Sequence, residues 1–226
     1  MEENNHNITI GIIGGTGKEG FGLANRWAKS GFKVIIGSRT IEKANTTANK
    51  IKEEIGSAKV QGASYEGAVS GSDIIVLTIP YSSHIDILEN LKDLIKEKLI
   101  IDVTVPLVPP KVSVVQMPPD GSAAQETRRI LGSTANLAAA FHNISNVNLI
   151  SDSDSIDCDV LVTGTNADAR KTALWLVKEA GFIGWDAGPL ENSSVLEGLT
   201  SVLIWINKKY GSSHAGIRIT GVNRPD

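Results

Sequence analysis

The sequence of 226 residues lacks the features that mark several large classes of protein. Its single cysteine, Cys158, excludes an intrachain disulfide and a cysteine-rich metal site, and we expect it to be a small core residue. Positive charge is not in excess, because the net charge is -3 and the isoelectric point about 5.8. This balance argues against a nucleic-acid partner.

Long apolar runs and a targeting signal are also lacking. No apolar run reaches the roughly 20 residues that a membrane-spanning helix needs. The first residues, MEENNHN, are acidic and polar, unlike a signal peptide. Hydrophobic residues make up 41% and charged residues 21%, which is typical of a soluble globular chain. We therefore expect a cytoplasmic protein with no membrane partner.

What the sequence does contain is an alternation of strand-like and helix-like segments. Unbroken runs of β-branched residues predict strands at 8–13, 33–38, 58–62, 72–80 and 99–105. Amphipathic segments with apolar residues at helical spacing separate most of them. Strands without polar alternation are covered on both faces, so the pattern indicates an α/β fold with a parallel sheet.

The second half of the sequence adds a loop and a terminal helix. Residues 106–121 hold five of the eight prolines, which predicts an irregular loop. The last predicted helix, SSVLEGLTSVLIWINKKYG, is apolar enough to need burial, either within a C-terminal annex or in a homodimer interface. Trp175 and Trp205 fall on predicted helices, and we expect both in the core.

A glycine-rich turn follows the first strand. Gly15, Gly17 and Gly20 match the pattern G-x-G-x-x-G between that strand and the next helix. In this context the glycines permit a tight turn, a close approach to a pyrophosphate and close helix–strand packing. The pattern predicts a Rossmann-type doubly wound parallel sheet that binds a dinucleotide. The alternative is a glycine-rich turn without a ligand.

The end of the second strand indicates which dinucleotide is bound. NAD sites usually carry an acidic residue here, but this sequence has Ser38 and Arg39, with Lys43 one helical turn further on. A guanidinium, an ammonium and a hydroxyl suit the 2′-phosphate of NADP. The alternative is that Arg39 and Lys43 are ordinary solvated surface residues.

Proton carriers are scarce in the second half. The best candidates are His142 and Asp186, and each has an alternative: His142 as a core histidine and Asp186 as a turn residue. We find no Tyr-x-x-x-Lys motif and no metal-ligand spacing. The residues expected at the carboxyl edge of the sheet, among them Ile79, Pro80 and Val105, are small or apolar. They suit a flat, apolar partner that needs no proton relay.

Seven stretches of the sequence resemble one family. They are GGTGKEGFGLA, VIIGSRTIEKA, DIIVLTIPY, AAFHNI, DAGPLENS, LEGLTSVLIWIN and GIRI, which run in the same order over nearly the whole chain. The sequence is similar to the NADPH-dependent oxidoreductases of the deazaflavin coenzyme F-420 (also written F420). The resemblance implies a Rossmann domain at 1–150, a small C-terminal α/β annex at 151–226 that completes the deazaflavin pocket, and direct, reversible hydride exchange between NADP(H) and F420.

The resemblance also implies roles for individual residues. Hydride transfer by positioning needs no catalytic acid or base. The residues implied to hold the pyrophosphate are Thr16, Gly17, Lys18 and Glu19. Those implied along the rest of NADP are Ser38, Arg39, Lys43, Ile79, Ser83, Val105 and Asn146. Those implied at the deazaflavin are His142, Pro189 and Ala215. The loop at 106–120 and the extension after Ile219 depart from the family pattern.

Two other functions remain open from the sequence. One is another NADP-dependent reductase of the same architecture, acting on an imine, a flavin or a metal. The other is a protein that binds NADP(H) as a sensor without turnover. The other reductase would share the first half of the chain and differ in the pocket behind DAGPL. The sensor would bind NADP tightly and consume none.

Overall fold

The computed structural model describes residues 7–151 and 156–225. Eight strands form one sheet: β1 (Thr9–Ile13), β2 (Lys33–Gly37), β3 (Val60–Ala63), β4 (Ile74–Leu77), β5 (Leu99–Asp102), β6 (Leu137–Ala139), β7 (Asp159–Gly164) and β8 (Ile183–Pro189). The helices are α1 (Lys18–Lys29), α2 (Ile41–Glu54), α3 (Tyr65–Ser70), α4 (His84–Ile95), α5 (Ala123–Leu131), α6 (Asn146–Ile150), α7 (Ala167–Glu179) and α8 (Ser193–Tyr210). None of these helices is both long enough and apolar enough to span a bilayer.

The sheet confirms the predicted α/β class and its winding. The strand order is β3-β2-β1-β4-β5-β6-β7-β8, and every neighbouring pair is parallel except β6 and β7. The chain leaves β1 toward β2 on one side and returns to β4 on the other. The gap between β1 and β4 is therefore the topological switch point, where open α/β sheets bind their ligands.

The apolar character of the central strands explains why the sheet is covered on both faces. All four residues of β4 and of β5 are buried, as are four of the five in β1 and in β2. One cluster of core residues packs on each face, with Trp27 and Phe141 on one side and Leu88 and Leu91 on the other. Cys158 is buried in the core, as predicted.

The C-terminal segment continues the same sheet. Strands β7 and β8 extend it beyond β6, and α7 packs on the face that also carries α1. The indole of Trp27 donates a 2.9 Å hydrogen bond to the carbonyl of Leu176 in α7, and Arg26 binds the carbonyls of Asn148 and Ala180. The division into units at residue 150 stays a prediction.

Helix α8 is only partly buried in the single chain, so burial within the C-terminal annex alone is wrong, and burial in a homodimer interface stays a prediction. Leu196 and Leu203 face the protein, but Val195 is 71% and Trp205 59% exposed. The expectation that Trp205 lies in the core is wrong for the single chain, because its side of the helix faces away from the sheet. Trp175 is partly buried against the core, as expected.

A buried polar network joins α4, β5 and α5. His84 lies 3.1 Å from Glu126 and 3.5 Å from Asp102, and the hydroxyl of Thr127 donates a 2.6 Å hydrogen bond to Asp102. Burial lowers the pKa of His84, but the bonds and charges of Asp102 and Glu126 outweigh burial and raise it. Burial raises the pKa of Asp102, but His84 and Thr127 outweigh burial and lower it. The network ties the helices to the edge of the sheet where β5 ends.

Replacing His84 by leucine should destabilise the protein by about 3–5 kcal/mol at pH 7, because two buried carboxylates lose their cation. Urea unfolding measures the change. Since the pKa of His84 is raised, its contribution is complete below the ordinary histidine pKa and is lost as pH rises through the raised value. The difference in the free energy of unfolding between the native protein and the His84→Leu variant should therefore shrink in alkaline buffer.

A matched control uses the exposed ion pair on the same helix. Lys92 contacts Glu89 at 2.6 Å with both side chains about half exposed, so Lys92→Gln should change the free energy of unfolding little. An equal loss of unfolding free energy in His84→Leu and Lys92→Gln would contradict the importance of the buried network.

Candidate active site

A cavity of about 640 Å³ opens at the carboxyl edge of the sheet, over the switch point. The turn after β1, the ends of β2, β4 and β5, and the segment after β6 all contribute to it. Because these strands are parallel, their carboxyl ends converge on one edge, and the loops that follow them form the cavity wall. The cavity therefore occupies the place where the sequence predicts a dinucleotide.

The glycine-rich turn brings α1 very close to the end of β1. Gly14 has a φ of 89°, and a side chain there would meet the carbonyl of Thr78 at 2.7 Å. A Cβ on Gly20 would lie 2.7 Å from the Cα of Gly15. Only glycine permits this approach, which directs the N-terminus of α1 into the cavity. The first N–H groups of a helix lack helical partners, so they suit a pyrophosphate.

The end of β2 forms the polar end of the cavity. Ser38 is buried there, whereas Arg39 and Lys43 are exposed cations at the cavity wall. Tyr65 lines the same region, and burial raises its pKa while the charge of Arg39 opposes that rise. No acidic residue lies at this end among the described lining residues. The arrangement offers cations to a phosphate rather than a carboxylate to a ribose.

Buried polar atoms without partners lie at the other end of the cavity. The hydroxyl of Thr104 and both ring nitrogens of His142 have no hydrogen-bond partner within the described part of the chain. Burial lowers the pKa of His142 to about 4, so the imidazole is neutral at pH 7. A buried polar group without a partner is costly, so these atoms suit a ligand that bonds to them, such as the carboxamide of nicotinamide.

A second cavity of about 430 Å³ adjoins the first. Asn146 on α6, Asn207 on α8 and Ala215 in the C-terminal tail line it. Five residues line both cavities and form what we call the shared wall: Lys18, Glu19, His142, Ile144 and Thr200. A ligand in each cavity would therefore lie against the same five residues.

The C-terminal tail is held in place beside the second cavity. The N–H of Ala215 donates a 2.9 Å hydrogen bond to the side chain of Asn207. The buried carboxylate of Asp159 accepts bonds from the indole of Trp185 at 2.9 Å and from the N–H of Ile219 at 2.8 Å. The extension that departs from the family pattern reaches the same anchor, because Arg224 lies 3.9 Å from the carboxylate of Asp159.

Most residues expected at the site do converge. The first cavity collects Thr16, Gly17, Lys18, Glu19, Ser38, Arg39, Lys43, Ile79, Pro80, Val105 and His142, and the second collects Ala215. Asn146, which the resemblance implies along NADP, lines the second cavity and not the first. Gly15 and Gly20 lie beneath the turn. Ser83 and Pro189 lie outside both cavities. Asp186 also lies outside them, within strand β8, where its carboxylate pairs with Arg170 at 2.8 Å. Asp186 is thus a strand residue in an ion pair, so neither its role as a proton carrier at the cavities nor the turn alternative holds.

Sequence reasoning missed several residues that line the first cavity. They are Thr40, Tyr65, Thr78, Tyr81, Thr104, Ile144 and Thr200. Tyr65 and Thr104 follow strands β3 and β5 closely, so their position after a parallel strand was a usable signal. Thr200 lies on α8, and only the packing of that helix brings it to the cavity.

Comparison with known proteins agrees with this geometry. A family model described as NADP oxidoreductase coenzyme F420-dependent matches residues 9–106. The F420-dependent NADP reductase of Methanocaldococcus jannaschii is 37% identical over 95% of this chain and 99% of its own length. The F420-dependent NADP reductase of Methanothermobacter marburgensis is 39% identical over 95% of this chain and 99% of its own length.

Solved structures share the fold. An Arthrobacter sp. FB24 structure, provisionally described as an F420 dependent NADP-reductase, aligns with a TM-score of 0.78 at 21% identity, covering 95% of this chain and all of that one. The structure of Plasmodium falciparum pyrroline carboxylate reductase was solved with NADP bound. It aligns with a TM-score of 0.59 at 15% identity and covers 91% of this chain and 68% of that one.

The sheet, its switch-point cavity and the glycine-rich turn define a dinucleotide-binding oxidoreductase of the Rossmann class. Within that class, identity of 37–39% over nearly the full length assigns the family. The chain belongs to the F420-dependent NADP reductases.

Replacing Gly20 by alanine should damage both the fold and the site. Its Cβ would push α1 away from the turn, at a cost of about 1–3 kcal/mol, and should weaken NADPH binding. Thermal unfolding and calorimetry measure the two effects. Gly56→Ala is the control, because nothing lies within 4 Å of its Cβ position. Unchanged binding and stability in Gly20→Ala would contradict the close-packing argument.

Proposed function

We propose that this protein transfers a hydride directly and reversibly between NADP(H) and coenzyme F420. The observation that carries the proposal is the pair of adjoining cavities that share five lining residues, which can accommodate two ligands side by side. The names of the relatives, F420-dependent NADP reductases, support the same pair of coenzymes. In this arrangement NADP(H) occupies the first cavity and the deazaflavin the second.

The first cavity holds groups suited to each part of NADP. The N-terminus of α1 faces the pyrophosphate, while Arg39 and Lys43 bind the 2′-phosphate. Thr104 and His142 offer their unpaired polar atoms to the nicotinamide end. The favoured dinucleotide is therefore NADP rather than NAD.

Catalysis in this site depends on placement. When both coenzymes are bound, the nicotinamide ring supplies a hydride that the deazaflavin ring accepts. The chain's own residues hold the two rings about 3 Å apart and keep water out, which accelerates transfer without a covalent step. Ile79 and Ile144 supply apolar surface for this purpose, and Val105 adds to it. The described residues contain no group of three or more metal-ligating side chains.

The activity is tested by mixing the purified protein with NADPH and oxidised F420 and following the visible absorbance of the deazaflavin. We expect bleaching that requires NADPH and is much faster than with NADH. Replacing F420 by a flavin or an imine tests the other acceptors. No bleaching, with tight NADPH binding by calorimetry, would contradict the proposal and favour a different acceptor or a sensor.

Arg39→Ala should weaken NADPH binding about tenfold to a hundredfold, because a charge-assisted bond to the 2′-phosphate is lost. NADH binding should change little, since NADH lacks that phosphate. Calorimetric titration of both dinucleotides measures the difference. Equal losses for the two would reject the role of Arg39 in phosphate binding.

We also propose that the protein is a cytoplasmic homodimer. Val195, Val202 and Trp205 form an exposed apolar stripe on α8, and Val115 of the proline-rich loop adjoins it beside Gly198. An exposed apolar patch of this kind is typical of an interface between proteins. A cytoplasmic location is supported by the reaction, because both coenzymes are intracellular electron carriers.

Light scattering at micromolar concentration should give twice the chain mass of 24.0 kDa. Trp205→Glu should shift the protein to monomer, because a carboxylate would be buried in the interface. Ile85→Glu is the control, since Ile85 is similarly exposed on α4, away from the stripe. A monomeric native protein would contradict the homodimer.

A further inference from the structure

The side chain of Glu19 occupies the boundary between the two cavities. It is the second residue of α1 and belongs to the shared wall, with His142 and Thr200 on the opposite elements. The residue is only partly exposed. It lies in the first turn of α1, beside the expected pyrophosphate site, so a charged carboxylate here would repel the phosphates of the dinucleotide. The position therefore favours a neutral carboxylic acid.

The surroundings of Glu19 keep it neutral. Within residues 7–151 and 156–225, no group donates a hydrogen bond to its carboxyl, and burial raises its pKa to about 8. Most of the protein therefore holds a proton on Glu19 at pH 7. Partial exposure leaves a route by which solvent can replace that proton.

The other titratable groups at the cavities do not fill this role. Burial lowers the pKa of His142 to about 4, so its ring carries no spare proton at pH 7. Burial and the charge of Glu126 raise the pKa of Tyr81 to about 12, so its hydroxyl keeps its proton. The remaining titratable lining residues are Lys18, Arg39, Lys43 and Tyr65. Of these only Lys18 belongs to the shared wall, where it is exposed.

The net reaction needs a proton as well as a hydride. Reduction of a deazaflavin adds a hydride to C5, which leaves negative charge on the ring system until N1 takes up a proton. Positioning alone explains the hydride but not the source of this proton. A protonated carboxyl on the wall between the two ligands meets that requirement.

We propose that Glu19 is the proton donor and acceptor of the reaction, an inference that rests on the proposed function. In deazaflavin reduction, the C–H bond at nicotinamide C4 breaks and a C–H bond forms at deazaflavin C5. The O–H bond of Glu19 breaks and an N–H bond forms at deazaflavin N1. The products are NADP⁺, reduced deazaflavin and the Glu19 carboxylate, which solvent reprotonates. Oxidation runs through the same steps in reverse.

The pH dependence has opposite signs in the two directions. Deazaflavin reduction requires protonated Glu19, whose pKa of about 8 without ligand should rise further when the dinucleotide is bound, so its rate should hold up to about pH 8 and fall at higher pH. Oxidation of the reduced deazaflavin requires the carboxylate, so its rate should rise across the same range. The rates of both directions are measured over pH in single turnovers by the deazaflavin absorbance, in H₂O and in D₂O.

Glu19→Gln keeps the size and neutrality of the side chain but removes the acid. We expect single-turnover rates to fall on the order of 100-fold, with loss of both pH arms and of the solvent isotope effect. NADP⁺ affinity at pH 7 should be nearly unchanged, because Gln resembles neutral Glu. Glu19→Asp should keep the pH arms at a lower rate. The matched control is Asp168→Asn, an exposed acid at the second position of α7.

A second readout does not depend on turnover. Bound phosphates should raise the pKa of Glu19 further, so NADP⁺ binding near pH 8 should take up a proton. Calorimetry in buffers of different ionisation enthalpy measures this uptake, which should vanish in Glu19→Gln and persist in Asp168→Asn. The inference would be overturned if Glu19→Gln kept the native single-turnover rates, the native pH dependence in both directions and the native proton uptake. Absence of F420 reduction by the native protein would instead overturn the proposed function.

Discussion

The close approach of α1 to the end of β1 is the constraint on which the site depends. Without side chains at Gly14 and Gly20, the helix N-terminus reaches the switch point between β1 and β4. That contact places backbone N–H groups where the carboxyl ends of the central strands converge. It also brings Glu19 to the wall between the two cavities. One steric condition thus determines both phosphate binding and the position of the proposed acid.

The rest of the molecule keeps this contact rigid and closes the second cavity. Trp27 and Arg26 join α1 to α6 and α7, so the first helix cannot shift without disturbing the C-terminal segment. The network around His84 fixes the end of β5, from which Thr104 faces the nicotinamide end. Asp159 anchors the tail that carries Ala215. This architecture provides precise placement of the coenzymes, with Glu19 as the proposed acid between the two cavities.

Local sequence patterns predicted the first half of the fold well, because its strands and its glycine-rich turn are each encoded by residues that are neighbours in the sequence. Buried parallel strands appear as unbroken apolar runs, and the glycine spacing reports a close contact between neighbouring elements. Longer-range features could not be predicted this way. The antiparallel pairing of β6 with β7 and the approach of Thr200 on α8 depend on tertiary packing. Trp205 was misplaced because an apolar helix position does not reveal whether its partner is the core or another chain.

The most direct test of direct transfer is to follow a deuterium from C4 of NADPH. The protein reduces F420 with the labelled dinucleotide in ordinary water, and mass spectrometry and proton NMR then locate the label in the reduced deazaflavin. Direct transfer between rings held face to face predicts that the label is retained at C5. Loss of the label to water would contradict the account, because it would require an exchangeable intermediate between the two coenzymes.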